Sequence, residues 1–312
     1  MSDSRPVLLI GQPLLAALLP ILRPLYDAWP LWEGEGEGRR DKARAIVWAG
    51  EFPLASALLD IMPQLGLIAC FSVGYDGVDV MEADRRGIVV TNGADANAED
   101  VADHAIGLML AHRRGIVEGD RLLRAGLWKA GPERLSLSMA GARLGIVGLG
   151  HIGQAVARRA DAMRMQINWW GPRDKPALPW ARSESLKALA RDSDILLVAA
   201  RADGGNRGMI DAGVMDALGP GGLLVNVARG QLVDEPALRL ALRQRTLGGA
   251  ALDVFQQEPT PAQGWTDVPN CVLTPHMAGA THEAVSRMTA LLLANLEAFF
   301  AGEALPNRVR PD

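Results

Sequence analysis

Three polar residues stand at or just past the ends of apolar runs that have the length and composition of buried strands. Arg229 follows Leu223 to Ala228, Asp253 follows Ala250-Ala251-Leu252, and His276 follows Cys271 to Pro275. Glu258 comes five residues after Asp253. If these runs lie parallel in one sheet, all four groups gather at the edge where open α/β sheets bind their ligands. An arginine grips a carboxylate through its planar fork and polarises a ketone beside it. A histidine delivers a proton, and a glutamate next to it favours the charged imidazolium. Together these types suit hydride transfer to a carbonyl adjacent to a carboxylate, with a cofactor supplying the hydride and no metal required.

The place for such a cofactor is marked by Gly148, Gly150 and Gly153, a G-x-G-x-x-G turn enclosing His151 and Ile152. An apolar run, Leu144 to Val147, precedes it and a helical pattern, Gln154 to Ala160, follows. That context makes it a dinucleotide-binding turn, with the pyrophosphate at the helix N-terminus. Eighteen residues past Gly153, where an NAD enzyme carries an acid for the ribose hydroxyls, the chain has Gly171, then Pro172, Arg173, Asp174 and Lys175. The missing acid, with Arg173 and Lys175 beside it, favours a 2′-phosphate and hence NADP over NAD; Asp174 is the rival, able to turn to the ribose if the loop rearranges.

The elements that must position these residues fill a chain of 312 residues, enough for two domains. With 32 basic against 36 acidic residues and a net charge of −4, it carries no basic stripe. Nucleic acid and anionic membrane are thereby disfavoured, and a small molecule is the expected partner. Cys70 and Cys271 are too few for a disulfide framework or a cysteine metal site and suit a reducing compartment. The first apolar run is too short and too soon interrupted for a signal peptide or a membrane span, so a cytoplasmic location is expected. In the first half, strands at Val7–Ile10, Ala45–Ala49, Leu67–Phe71 and Ile88–Thr91 alternate with helical stretches at Pro13–Leu25 and Leu54–Met62. The Glu33–Gly38 alternation is expected to be a solvated loop. A helical arm from Asn97 to Trp128 is a candidate subunit contact, and its His104 and His112, away from any strand end, read as packing or surface residues. Strands at Gln166–Trp170, Ile195–Ala199, Leu223–Val227, Ala250–Val254 and Cys271–Leu273 alternate with helices at Ser183–Ala190, Asp211–Leu218 and Glu235–Gln244, and a helix at Glu283–Ala301 closes the chain. The fold class is α/β, with two doubly wound parallel sheets.

In their order, Phe71-Ser72-Val73-Gly74-Tyr75-Asp76, Asp100-Val101-Ala102-Asp103, Gly148 to Gly153, Val225-Asn226-Val227-Ala228-Arg229-Gly230, Leu252-Asp253-Val254-Phe255 with Glu258, and Thr274-Pro275-His276 form a recognisable series. The chain resembles the D-isomer-specific 2-hydroxyacid dehydrogenases, in the branch of glyoxylate, hydroxypyruvate and hydroxyphenylpyruvate reductases. That resemblance implies NAD(P)H-dependent reduction of small 2-keto acids to D-2-hydroxy acids, with Arg229, Glu258 and His276 as the catalytic set. It implies cofactor contacts from Val227, Ala228, Arg229, Asp253 and His276, and a substrate carboxylate held by the amides of Val73 and Gly74 beside Ser72. It also implies a flavodoxin-like substrate domain from residues 1–95 and 283–312, a Rossmann-type dinucleotide domain over 96–282, and a homodimer built on the arm. One segment departs from the family: Arg201 to Asn206 stands where a proline and two threonines are usual. A dinucleotide-sensing protein of the same fold is the other reading, and the complete Arg229, Glu258 and His276 set favours an enzyme.

Overall fold

The structure is a computed structural model that describes residues 5–34, 36–129 and 135–311. Its strands are β1 (Val7–Ile10), β2 (Asp27–Pro30), β3 (Ala43–Trp48), β4 (Leu67–Cys70), β5 (Val89–Thr91), β6 (Arg143–Val147) and β7 (Gln166–Trp170). They continue with β8 (Ala181–Arg182), β9 (Ile195–Val198), β10 (Leu223–Asn226), β11 (Gly249–Leu252), β12 (Cys271–Leu273) and β13 (Arg308–Val309). The first five helices are α1 (Leu19–Leu22), α2 (Ser56–Asp60), α3 (Val80–Arg85), α4 (Ala98–Arg113) and α5 (Ile116–Arg124). The others are α6 (His151–Ala162), α7 (Leu186–Arg191), α8 (Ala212–Leu218), α9 (Glu235–Gln244) and α10 (His282–Ala301). The chain divides into two compact units, one running to Asn97 and resuming at His282, the other spanning Ala98–Thr281.

The first unit holds a six-stranded sheet in the order β13-β5-β4-β3-β1-β2, parallel except for β13, which runs antiparallel to β5. The second holds a seven-stranded sheet, β12-β11-β10-β9-β6-β7-β8, parallel throughout. Every residue of β1, β4, β9, β10 and β11 is buried, as expected of strands covered on both faces. In the second sheet the chain builds outward from β6 first toward β8 and then, from β9, toward β12. The reversal between β6 and β9 is the switch point at which doubly wound sheets bind ligands, and the Gly148 turn leaves β6 there.

Two sequence expectations need correction. The arm is not one helix to Trp128: α4 stops at Arg113, Gly115 takes a left-handed conformation (φ 63°), and α5 ends at Arg124. The Glu33–Gly38 stretch is not wholly solvated, because the Gly36 amide donates to the Pro30 carbonyl at 3.2 Å and the residue is buried; Glu37 then opens a 3-10 turn to Lys42.

Helix α4 lies across β10, β11 and β12 with Ala102 and Ala105 fully buried. Its two histidines set its register on β11. A methyl at Gly249, where β11 begins, would fall 1.9 Å from His112 Nε2, so the imidazole occupies the space a side chain would take. At the other end His104 reaches Asp253, the residue after β11. Gly249→Ala is therefore expected to destabilise the protein by about 1–3 kcal/mol through overpacking. Urea denaturation of Gly249→Ala, alone and with His112→Ala, checks it: the second substitution should recover part of the loss, and equal midpoints for wild type and Gly249→Ala would show that the contact is slack.

Candidate active site

At the switch point Gly148 adopts φ 89°, and a methyl on it would lie 2.6 Å from Ala200 Cα, so only glycine lets the turn pass under the end of β9. A methyl on Gly153 would lie 2.2 Å from the Gly148 carbonyl oxygen, which is how α6 approaches the turn so closely. Above Gly150 the space is open to at least 4 Å. Helices α3, α7, α8 and α9 are capped by Asp79, Ser185, Asp211 and Asp234; α6, like α1, α2 and α5, has no side-chain cap, and it starts at Gly150. An uncapped, glycine-lined helix N-terminus fits a dinucleotide pyrophosphate. His151 and Ile152 open α6, exposed and half-buried respectively.

Arg229 leaves β10 through a turn built by Asn226, whose amide nitrogen donates to the Arg229 carbonyl (3.0 Å) and whose carbonyl oxygen accepts from the Ala228 amide (3.0 Å). Arg229 Nη1 donates to the Ala228 carbonyl at 2.8 Å. The side chains of Val227 and Ala228 are buried in the cores on opposite faces of the sheet, so their backbone is what they offer a cofactor. Next in sequence, Gly230 lies against the Phe255 carbonyl, where a methyl would come within 1.9 Å. That close approach brings the Arg229 turn beside the loop that carries Glu258.

Asp253 has 1% of its surface exposed, and both of its carboxylate oxygens are engaged. Oδ1 accepts from Thr274 Oγ1 (2.6 Å) and the Met277 amide (3.0 Å), Oδ2 accepts from the Ala278 amide (2.9 Å), and the Asp253 carbonyl accepts from the His276 amide (2.8 Å). Burial alone would raise this carboxyl, but the hydrogen bonds from His104, Thr274 and the two amides outweigh it and hold the group below its ordinary value. The chain turns around Asp253 with His276 at φ 49°, a left-handed conformation uncommon outside glycine. From there His276 Nδ1 meets Glu258 Oε2 at 2.6 Å, while Glu258 Oε1 accepts from the Phe255 amide at 2.9 Å. The hydrogen bond to Glu258 raises the imidazole pKa against the opposing effects of burial and of the Arg229 charge. For Glu258, burial pushes upward, and the bonds from His276 and the Phe255 amide, with the charges of His276 and Arg229, bring the carboxyl below its ordinary value. The pair is thus biased toward imidazolium and carboxylate, with Nδ1 donating and Nε2 left to face a ligand.

The model of the D-isomer specific 2-hydroxyacid dehydrogenase NAD binding domain matches residues 106–278. The chain belongs to the D-isomer-specific 2-hydroxyacid dehydrogenase family. It is 42% identical over 269 residues to glyoxylate/hydroxypyruvate reductase A of Arabidopsis thaliana, covering 86% of each chain. To the hydroxyphenylpyruvate reductase of Plectranthus scutellarioides it is 42% identical, covering 85% of each. Among solved structures, the NADPH-dependent glyoxylate/hydroxypyruvate reductase of Sinorhizobium meliloti, in complex with NADP and malonate, superposes with a TM-score of 0.91 at 36% identity, covering 98% of this chain and 97% of that one.

In this dehydrogenase the Ser72 loop follows β4 of the first unit. Ser72 Oγ accepts from the Gly50 amide (2.8 Å) and donates to the Gly74 carbonyl (3.0 Å), while the Val73 carbonyl accepts from Asn92 Nδ2 (2.7 Å). The Arg201–Asn206 departure folds on itself: Asn206 accepts from the Asp203 amide (2.9 Å) and donates to the Arg201 carbonyl (2.8 Å). Past β7, Asp174 Oδ1 accepts from the Lys175 amide at 2.8 Å, and Arg173 is exposed. Arg182 adds a cation that the sequence did not single out, donating to the Gly171 carbonyl at 2.7 Å with its guanidinium 5.7 Å from the Trp169 ring centroid. Of the neighbouring glutamines, Gln256 is tied to Val233 and Glu235, so Glu258 is the group that meets His276. His104, read from the sequence as packing or surface, instead contacts Thr274 and Asp253.

The coupling of the pair fixes a sign. The raised histidine adds stability that is complete below its unfolded pKa and disappears as pH rises through its folded value; the depressed Glu258 adds stability that disappears as pH falls through its own. Glu258→Gln should move the His276 imidazole titration, followed by NMR, to lower pH. An unmoved midpoint would show that the 2.6 Å bond does not set the histidine's charge.

Proposed function

We propose that this protein is an NADPH-preferring reductase of small 2-keto acids, of the glyoxylate and hydroxypyruvate type, that yields D-2-hydroxy acids. The observation that carries the reading is the bond between His276 and Glu258 beside Arg229, on the carboxyl edge of the sheet that also bears the Gly148 turn. The bound nicotinamide supplies the hydride. Arg229 grips the substrate carboxylate and draws charge toward the ketone oxygen. His276 gives that oxygen a proton from Nε2, and Glu258, accepting from Nδ1, orients the ring and stabilises its charged form. Asp253 acts from beneath, holding the turn that presents His276.

The preference for NADPH rests on the end of β7. Gly171 offers no acid to the ribose, Asp174 has turned an oxygen to its own chain, and Arg173, Lys175 and Arg182 are the cations grouped after the strand. The Sinorhizobium relative, solved with NADP, supports the same choice. Steady-state rates with glyoxylate, hydroxypyruvate, pyruvate and phenylpyruvate and both cofactors test the reading. Turnover is expected with NADPH, and Arg173→Ala should lower kcat/KM with NADPH by about 10–100-fold, the worth of one charged hydrogen bond, with little change for NADH. Equal losses would overturn the cofactor preference. Tight NADPH binding without turnover of any keto acid would favour a sensing protein.

We also infer a homodimer joined through α5. No described residue of this helix is buried, and Ile116, Val117 and Leu123 on it, with Leu127 and Trp128 just beyond, are each more than half exposed. An apolar face of that kind on a family member suits a second copy of the chain. Leu123→Glu combined with Leu127→Glu should halve the mass measured by sedimentation equilibrium, and an unchanged mass would place the contact elsewhere.

A further inference from the structure

His104 stands on α4, and Thr274 lies 170 residues away in sequence, yet His104 Nε2 is 2.9 Å from Thr274 Oγ1 and 3.4 Å from Asp253 Oδ1. Thr274 Oγ1 is itself only 2.6 Å from Asp253 Oδ1. A hydroxyl carries a single hydrogen. Ionised Asp253 only accepts, so the threonine hydrogen belongs to the carboxylate and the oxygen has only lone pairs left for His104. The imidazole must therefore donate from Nε2, which fixes the direction of the chain: His104 to Thr274 to Asp253. Beyond Asp253 the same carboxylate takes the Met277 and Ala278 amides, and its carbonyl takes the His276 amide. His276 is thus held on both sides by one residue whose orientation is set from the helix.

We propose that His104 is a positioning residue for His276: by donating to Thr274 it fixes the Asp253 carboxylate, and with it the left-handed turn that presents the imidazole to Glu258. His104 never touches the reacting atoms in this scheme. The kinetic part of its test rests on the reductase reading; the spectroscopic part does not. The charged groups that bear on His276 are Glu258, Arg229 and Asp253.

The experiment compares His104→Leu, His104→Gln, Thr274→Val and the double variant His104→Leu with Thr274→Val in the full chain. Four quantities are followed: kcat, KM for the keto acid, NADPH dissociation by fluorescence, and the His276 ring titration by NMR, in a protein with only five histidines. His104→Leu and Thr274→Val should each lower kcat about tenfold, the scale of a small misplacement of a catalytic group, with NADPH affinity held within about twofold. Both should move the His276 titration downward as its bond to Glu258 loosens. Gln, whose terminal amide can stand near the Nε2 position, should restore most of the loss. Because the two residues act through one chain of bonds, the double variant should be no slower than the slower single one. The proposal is overturned if His104→Leu leaves kcat and the His276 titration unchanged, if the two losses multiply, or if Gln fails to rescue while NADPH affinity falls in step with kcat. Thr274→Val keeps it open to refutation should the helix variant fold poorly. If the wild-type protein turns over no keto acid, the reductase reading fails and the His276 titration alone decides the positioning role.

Discussion

The site depends on the burial of one carboxylate. A charge as enclosed as that of Asp253 must be matched by donors or be lost to protonation, and the donors available are Thr274 and the amides of the turn that follows β12. Meeting that demand requires the chain to wrap around the carboxylate, which it does with His276 in a left-handed conformation. The magnitudes favour the arrangement. A non-glycine residue in that region costs about 1–2 kcal/mol, while each hydrogen bond to a charged group contributes about 1.5–3 kcal/mol. Losing the two amide donors together, about 3–6 kcal/mol, would outweigh the relief of the backbone strain, so the imidazole is held where the strain puts it.

The same constraint explains how α4 takes part. Histidines 104 and 112 lie eight residues apart on α4, about 12 Å along a helix, and their partners Asp253 and Gly249 lie four residues apart on and just past β11, about 13 Å along a strand. The two spacings agree, so both contacts form at once when the helix runs opposite to the strand. Neither alone would fix the helix along its axis. Together they tie the height of α4 to the end of β11, and hence to the turn that carries His276.

Much of this was legible in the sequence, for a physical reason. A strand buried on both faces is an unbroken apolar run, and β1 begins and ends where such patterning places it; the partly buried β7 and β12 and the amphipathic α9 also keep their expected bounds. The polar residues just past those runs, Arg229, Asp253 and His276, stood out because the runs stop there. Edge elements lack that signal: β2 is Asp-Ala-Trp-Pro, β8 is two exposed residues, and β13 pairs with β5 from the far end of the chain. The arm read as one helix because Gly115 is a single residue whose left-handed turn leaves the apolar pattern on either side intact. His104 was passed over because its partners come together only through the packing of α4 on the sheet. Asp253 stood at its strand end in the sequence, but the inward bonding of its carboxylate, which depends on the turn after β12, left no signal there.

The helix that faces the anion does without the side-chain cap that four other helices have. An Asp or Ser cap contributes about 1 kcal/mol by satisfying an amide that would otherwise have no partner. The chain has such a residue before α3, α7, α8 and α9 and glycine before α6. That omission is not made up by a neighbouring side chain; it is offset by packing, since Gly153 brings α6 against the Gly148 carbonyl and Ala155, Val156, Ala157 and Ala160 are fully buried. A side-chain oxygen at Gly150 would stabilise the helix locally and place a competing acceptor where a pyrophosphate must sit. The helix is therefore anchored through its sheet-facing side, which frees its N-terminus for a ligand and makes dinucleotide binding the completion of the cap.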